Sequence, residues 1–257
     1  MPTFHHAHFD FILDPDHGWF SVISNQRPAR LEQIRLEIVC TLNNRKHHLF
    51  EKGWLPHSIT ESEIESALGS LRCCSIDSET HPGGLQTRIE FAFADHLPFL
   101  FWRVNLFNQG EQAVWIERIE MMRVGGIQPQ SRIDFVRPFH PEDVWFYSNG
   151  WQSWSYTAAY PATSSLRRSR LGAFQKPMVI NAGTPDLKQT GYFTSDFFGI
   201  LTDTAQRTSI LAGFLSQREH FGSLEAILFD KPALRLWANG DHTLLESGTG
   251  MRTDWAV

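Results

Sequence analysis

An all-β fold, two large antiparallel sheets packed face to face with few short helices, is what this chain predicts. Three observations carry it. Apolar residues recur at every second position in segment after segment, Gly, Asn and Pro signals separate those segments, and no series of amphipathic helices alternates with them.

Ile34, Leu36, Ile38, Cys40 and Leu42 alternate with Arg35, Glu37, Val39 and Thr41, which lays one apolar row along one face of an extended segment. The alternation returns in Ile89, Phe91 and Phe93, in Leu100, Trp102, Val104 and Leu106, and in Leu234, Leu236 and Ala238. Residues 114–124, 209–215 and 224–229 are apolar and of strand length. The turn signals between segments are HPGG (His81–Gly84), NQG (Asn108–Gly110) and ANGD (Ala238–Asp241). One short helix is expected at ITESEIESAL (Ile59–Leu68), where Thr60 and Glu63 can form a capping box and Ile64 and Leu68 an apolar edge. An α/β barrel needs a helix of ten or more residues after each strand, and these are missing. Two sheets that bury their facing apolar rows satisfy the pattern with one domain over residues 1–257.

Composition narrows the function classes. With 42% hydrophobic and 20% charged residues the chain can bury a sizeable core, and its net charge of -5 gives no footprint for nucleic acid. The one basic run, Leu166–Arg170, reads as a solvated loop or a partner contact. No stretch approaches the roughly 18 apolar residues of a membrane span, and the N-terminal residues lack the pattern of a secretion signal, so no membrane partner and a cytoplasmic location are expected. Cys40, Cys73 and Cys74 are odd in number and two are adjacent, which suits neither a disulfide framework nor a CxxC site; they are expected as reduced thiols. His5, His6, His8, His47 and His48 come without HExxH or a neighbouring cysteine, so no metal and no cofactor are expected.

The richest segment is FYSNGWQSWSYT, Phe146–Thr157, with two tryptophans and two tyrosines around Asn149 and Gly150. That Asn-Gly pair tolerates positive φ and suits a tight type I′ turn. A turn requires no rings, so the aromatics either plug a core or make a surface. An indole offers a flat face that matches the axial C–H face of a pyranose, and its N–H can donate to a hydroxyl. In an extended segment Trp151 and Trp154 fall on opposite sides, so one ring faces a ligand while the other packs. The long Ser-, Pro-, Gly- and Arg-rich stretch from Ser155 to about Thr190 has the composition of a functional loop. Asp196 reads as a strand-end carboxylate that accepts backbone amides.

The string Asn149-Gly150-Trp151-Gln152-Ser153-Trp154-Ser155 resembles the NG(W/Y)QSWS signature of the N-terminal domain of glycoside hydrolase family 36, the α-galactosidases and their relatives. RPFHPEDVWFYSNG (Arg137–Gly150), TSDFFGIL (Thr194–Leu201) and GFLSQREHFGSLEA (Gly213–Ala226) resemble the same domain. The resemblance covers the second half of the chain by motif and the first half by strand pattern. It implies a β-supersandwich similar to that of galactose mutarotase, placed ahead of a (β/α)8 barrel. In the family that barrel holds two catalytic aspartates, and hydrolysis of the α-galactosidic bond retains configuration.

Nothing in the chain corresponds to the barrel, so the aspartates are expected beyond Val257, with no catalytic residue within it. By motif position Trp154 is the ring that reaches the galactose, with Trp151 beside it and, together with the flanking tyrosines, expected to anchor the turn by burial. The implied partners are a galactose-containing carbohydrate, the chain's own barrel and further copies of the chain. Two other readings stay open: a stand-alone carbohydrate-binding or assembly module, and a mutarotase-like epimerase, which would need an acid and a base such as His140, His220 or Glu219.

Overall fold

Alternation in sequence becomes pairing in space. The computed structural model describes residues 1–127, 130–135, 140–151, 155, 157–166, 184–185, 188–229 and 231–257, and among these nineteen strands form three antiparallel sheets. The largest runs β1 (Thr3–His5), β2 (Phe9–Asp14), β3 (Trp19–Ser24), β4 (Arg30–Leu42), β10 (Val114–Gly125), β18 (Ala233–Leu245), β17 (Gly222–Ile227) and β14 (Tyr192–Asp196). Two further strands, β5 (Arg45–Leu49) and β11 (Arg132–Asp134), also pair with β4. The second sheet orders β19 (Gly250–Arg252), β9 (Leu100–Asn108), β8 (Leu85–Phe93), β7 (Gly69–Ser78) and β6 (Pro56–Ser66). A third, of four strands, orders β13 (Ala158–Pro161), β12 (Val144–Ser148), β15 (Phe198–Asp203) and β16 (Thr208–Gly213).

The two large sheets enclose the core that the alternating rows predict. Phe11 and Phe20 from the first sheet meet Phe91 from the second with ring centroids 5.0 Å apart in each case, and Phe20 also stands 5.5 Å from Trp102. Trp54 is fully buried against Phe91. Rings at these separations and tilts gain about 0.5–1.5 kcal/mol per pair beyond the area they bury. Trp102 donates its indole N–H to the carbonyl of Met121 at 2.7 Å, so its one polar atom is satisfied inside the core. Cys40, Cys73 and Cys74 are buried free thiols, and burial pushes Cys40 up to about 11 and Cys74 up to about 12.

Two local expectations are corrected. The helix expected at Ile59–Leu68 is strand β6, paired residue by residue with β7, Thr60 opposite Ser75 and Glu63 opposite Arg72. The edge of β7 offers a row of backbone partners that a ten-residue helix lacks, and the exposed Glu61, Glu63 and Glu65 suit a charged sheet edge. ANGD does not end a strand but lies inside β18, where the register steps from Arg118–Asn239 to Ile116–Thr243. The turn residues make a bulge there, with His242 at φ 51°. The third sheet is also absent from the sequence reading; it frames the aromatic segment. Among the described residues no helix is long and apolar enough to cross a membrane.

Candidate functional site

β12 delivers the aromatic segment to a carboxylate. The backbone N–H of Asn149 donates to the Ser195 hydroxyl at 2.7 Å, and the Asn149 side-chain amide donates to the carbonyl of Asp196 at 2.9 Å. The Asp196 N–H returns a bond to the Asn149 carbonyl at 2.9 Å. One carboxylate oxygen of Asp196 then accepts the Trp151 N–H and the other the Thr184 hydroxyl, each at 3.1 Å. Asp196 is 5% exposed, and burial pushes its carboxyl up to about 6 against the lowering effect of those two bonds.

The tight type I′ turn is not formed. Ser148 pairs with Ala158, so the connection occupies residues 149–157, and neither Asn149 nor Gly150 has positive φ. Glycine is needed at 150 for a different reason, since a Cβ there would lie 2.0 Å from that of Ser155. Trp151, expected to anchor the segment by burial, is 38% exposed and rests edge-on against Phe221 at 5.5 Å. Phe221 is itself 40% exposed. Tyr147 stacks on Phe198 at 5.8 Å. The segment is therefore held by hydrogen bonds to Asn149, Gly150 and Trp151, and the Trp151 ring stays partly exposed while Phe146 is buried. Trp154, with Gln152, Ser153 and Tyr156, lies outside the described residues.

A second polar region begins at the same aspartate. Across the outer face of the largest sheet, register places Glu37, Glu120, Trp237, Ser223 and Asp196 in one row. The adjacent row holds Arg123, Arg235, Glu225 and Thr194. Arg235 donates to Glu120 at 2.7 Å and to Glu225 at 3.1 Å, and the Tyr192 hydroxyl donates to Glu225. Hydrogen bonds join this floor to the aromatic segment. The Trp237 indole N–H reaches Asn239 at 2.9 Å, the Asn239 amide reaches Ser223 at 3.2 Å, and the Ser223 and Thr184 hydroxyls meet at 2.9 Å, one step from Asp196. Sequence reading missed this floor. Its one signal was charge inside otherwise apolar strands, at Glu120, Glu225 and Arg235.

Of the three residues that the epimerase reading names, two have partners and one is exposed. His220 accepts the Asp254 N–H on Nε2 at 3.0 Å, Glu219 pairs with Arg252 at 3.1 Å, and His140 is exposed. His5 bonds Asp10 at 2.9 Å, buried His6 stands 3.0 Å from the carbonyl of Ala94, and His48 bonds Glu37 at 2.7 Å. Among the described residues no three His, Cys, Asp or Glu side chains gather as a metal site.

No family model and no curated protein matches the chain. Its architecture is similar to that of a galactose mutarotase-like protein from Lactobacillus casei, with a TM-score of 0.55 at 10% identity over 99% of this chain and 98% of the other. A galactose mutarotase-related enzyme from Lactobacillus acidophilus aligns over 99% and 95% with a TM-score of 0.54, also at 10% identity. A GH36 α-galactosidase from Geobacillus stearothermophilus, in complex with raffinose, aligns over 99% of this chain and 40% of its own, with a TM-score of 0.52 and 10% identity. The chain thus spans the mutarotase-like proteins almost end to end and well under half of the glycosidase. At this identity the likenesses show the fold: a galactose mutarotase-like β-sandwich.

Proposed function

We propose that this chain is the non-catalytic β-supersandwich domain of an α-galactosidase-like retaining glycoside hydrolase, set ahead of a catalytic barrel. It presents an aromatic segment to the barrel's sugar pocket and supports assembly of the enzyme. The observation that carries this reading is the clamp on Asn149–Trp151. A buried carboxylate fixes the backbone while the Trp151 ring stays partly exposed, which is how a sheet edge holds out an apolar surface for something else to cover. The seven-residue signature and the fold shared with a GH36 enzyme point the same way.

In this proposal Trp154 contacts the galactose unit and Trp151 lines the approach. The retaining reaction needs two carboxyl groups about 5 Å apart across the glycosidic bond, and these belong to the barrel. Two assays test the proposal. The 257-residue chain should not release nitrophenol from a nitrophenyl α-galactoside, whereas the full reading frame with its barrel should. In that longer protein Trp154→Ala should lower kcat/KM about tenfold or more with the melting temperature nearly unchanged. Turnover by the 257-residue chain above a contaminant control, or normal kcat/KM in the Trp154→Ala enzyme, would overturn the proposal.

A further inference from the structure

The inner apolar row of the largest sheet outruns its cover. Phe20 and Ile34 pair across β3 and β4 and are buried, with Phe20 against Phe91 and Trp102 of the second sheet. The next pair toward the hairpin end is Val22 with Leu31, and both are only partly buried. Val22 lies two positions from Phe20 and so points to the same side, and the register step between the pairs brings Leu31 into line with Ile34.

A groove of about 610 Å³ opens at this place, within the range of roughly 300–1,000 Å³ that holds small ligands. Core side chains form its base, Phe20, Trp102 and Met122 among them. Val22 and Leu31 line it from the largest sheet, Ile210 and Leu211 from β16, the last strand of the third sheet. Phe99 adds a ring, and it is 36% exposed and Leu211 38%. Apolar side chains left half-open around a concave site mark a place that another molecule covers.

The charges decide which molecule fits. Arg27, on the β3–β4 turn, and Arg207, on the β15–β16 turn, are exposed and line the groove together with His8, and no Asp or Glu is among the described residues that do so. Elsewhere Arg88, Arg103, Arg118, Arg235 and Arg252 each pair with a carboxylate, whereas among the described residues neither Arg27 nor Arg207 has an ion pair. A cation is repelled here, and a wholly polar anion leaves the apolar base unmatched. An added strand finds only part of the β16 edge, because Gly213 already exchanges both backbone bonds with Val257. A small molecule with an apolar body and one anionic head meets the base and the arginines at once.

We propose that this groove binds one small amphipathic anion, of the medium-chain carboxylate class, with its tail against Val22, Leu31 and Ile210 and its carboxylate at the guanidinium groups of Arg27 and Arg207. The site is independent of the aromatic segment and of the hydrolase reading.

Hexanoate, octanoate and decanoate titrated into the 257-residue chain, below their micelle concentrations and followed by ligand-observed NMR, test it. Octanoate should bind saturably, and affinity should rise about threefold to fourfold with each added methylene. The neutral 1-octanol should bind about fivefold or more weakly than octanoate. Replacing both Arg27→Gln and Arg207→Gln, on exposed turns outside the core, should abolish that preference, and raised salt should narrow it in the unaltered chain. Trp151→Ala should leave binding unchanged. The proposal is overturned by decanoate that does not saturate, by equal affinity at all three lengths, or by a preference for octanoate that survives in the folded double variant or ignores salt. Binding that weakens with rising protein concentration as a larger species sediments would give the groove to a second copy of the chain, and loss of binding in Trp151→Ala would place the ligand on the aromatic segment. Either result overturns this site and leaves the hydrolase reading intact.

Discussion

One cross-strand row, from Glu37 through Glu120, Trp237 and Ser223 to Asp196, has a buried ion-pair network at one end and half-exposed aromatic rings at the other. At the first end the sheet hides charge: Glu120 is 0% exposed and Glu225 5%, and both depend on the guanidinium of Arg235. At the second it shows rings, Trp151 and Phe221, and fixes the Trp151 backbone N–H on the Asp196 carboxylate. The contrast concerns where stability resides. The charged end is held by side chains whose loss strands a partner, and the aromatic end by backbone bonds that survive the loss of a ring.

Removing the central cation should break the comparison most visibly. Arg235→Met leaves two buried carboxylates without their shared partner, and urea unfolding should show a loss of about 3–5 kcal/mol. A loss below about 1 kcal/mol would mean that the floor is solvated and the contrast false.

The Asp196 carboxyl offers the next effect, of about 3 kcal/mol for a rise from the ordinary 3.8 to about 6. Because the folded state holds this proton more tightly, the associated stability is fully present below the ordinary carboxylate range and is lost as pH rises through about 6. Melting temperatures between pH 4 and 7 should therefore include a fall with rising pH that Asp196→Asn removes. An Asp196→Asn protein with the same pH profile would show that Asp196 is ionised and solvated.

The smallest effect is expected at the ring. Trp151→Ala removes one edge-on contact with Phe221 and leaves all its backbone bonds, so it should cost about 1 kcal/mol. A cost near the 3–5 kcal/mol of a core tryptophan would make Trp151 an anchor and erase the difference between the two ends.

How far sequence could see depends on which neighbour acts. The strands through Ile34–Leu42, Ile89–Phe93 and Leu100–Leu106 were legible because one face of each meets the core, and a period of two records that face alone. Ile59–Leu68 was misread because its capping box and Ile64–Leu68 spacing are local signals, whereas its partner, β7, is supplied by the fold. The floor was hidden for a related reason. Arg35 and Glu37 alternate with apolar residues as any solvated face would, and only the pairing of β4 with β10 and of β10 with β18 gathers Glu37, Glu120 and Arg235. Asp196 was legible as an acceptor of amides, but which amide it accepts is a fact of the third sheet.

The strand order of the largest sheet also sets a timetable. β10 is a central strand, yet its two neighbours are drawn from residues 30–42 and 233–245, so neither side can close until stretches of some seventy to a hundred residues have been brought together. Folding dominated by such distant pairings runs in milliseconds to seconds rather than microseconds, and apolar strands wait uncovered meanwhile. The β6–β7 hairpin, by contrast, is local and can form early. Its outer strand carries Glu61, Glu63 and Glu65, a row of carboxylates that turns away another chain's strand while the slower sheet is still assembling.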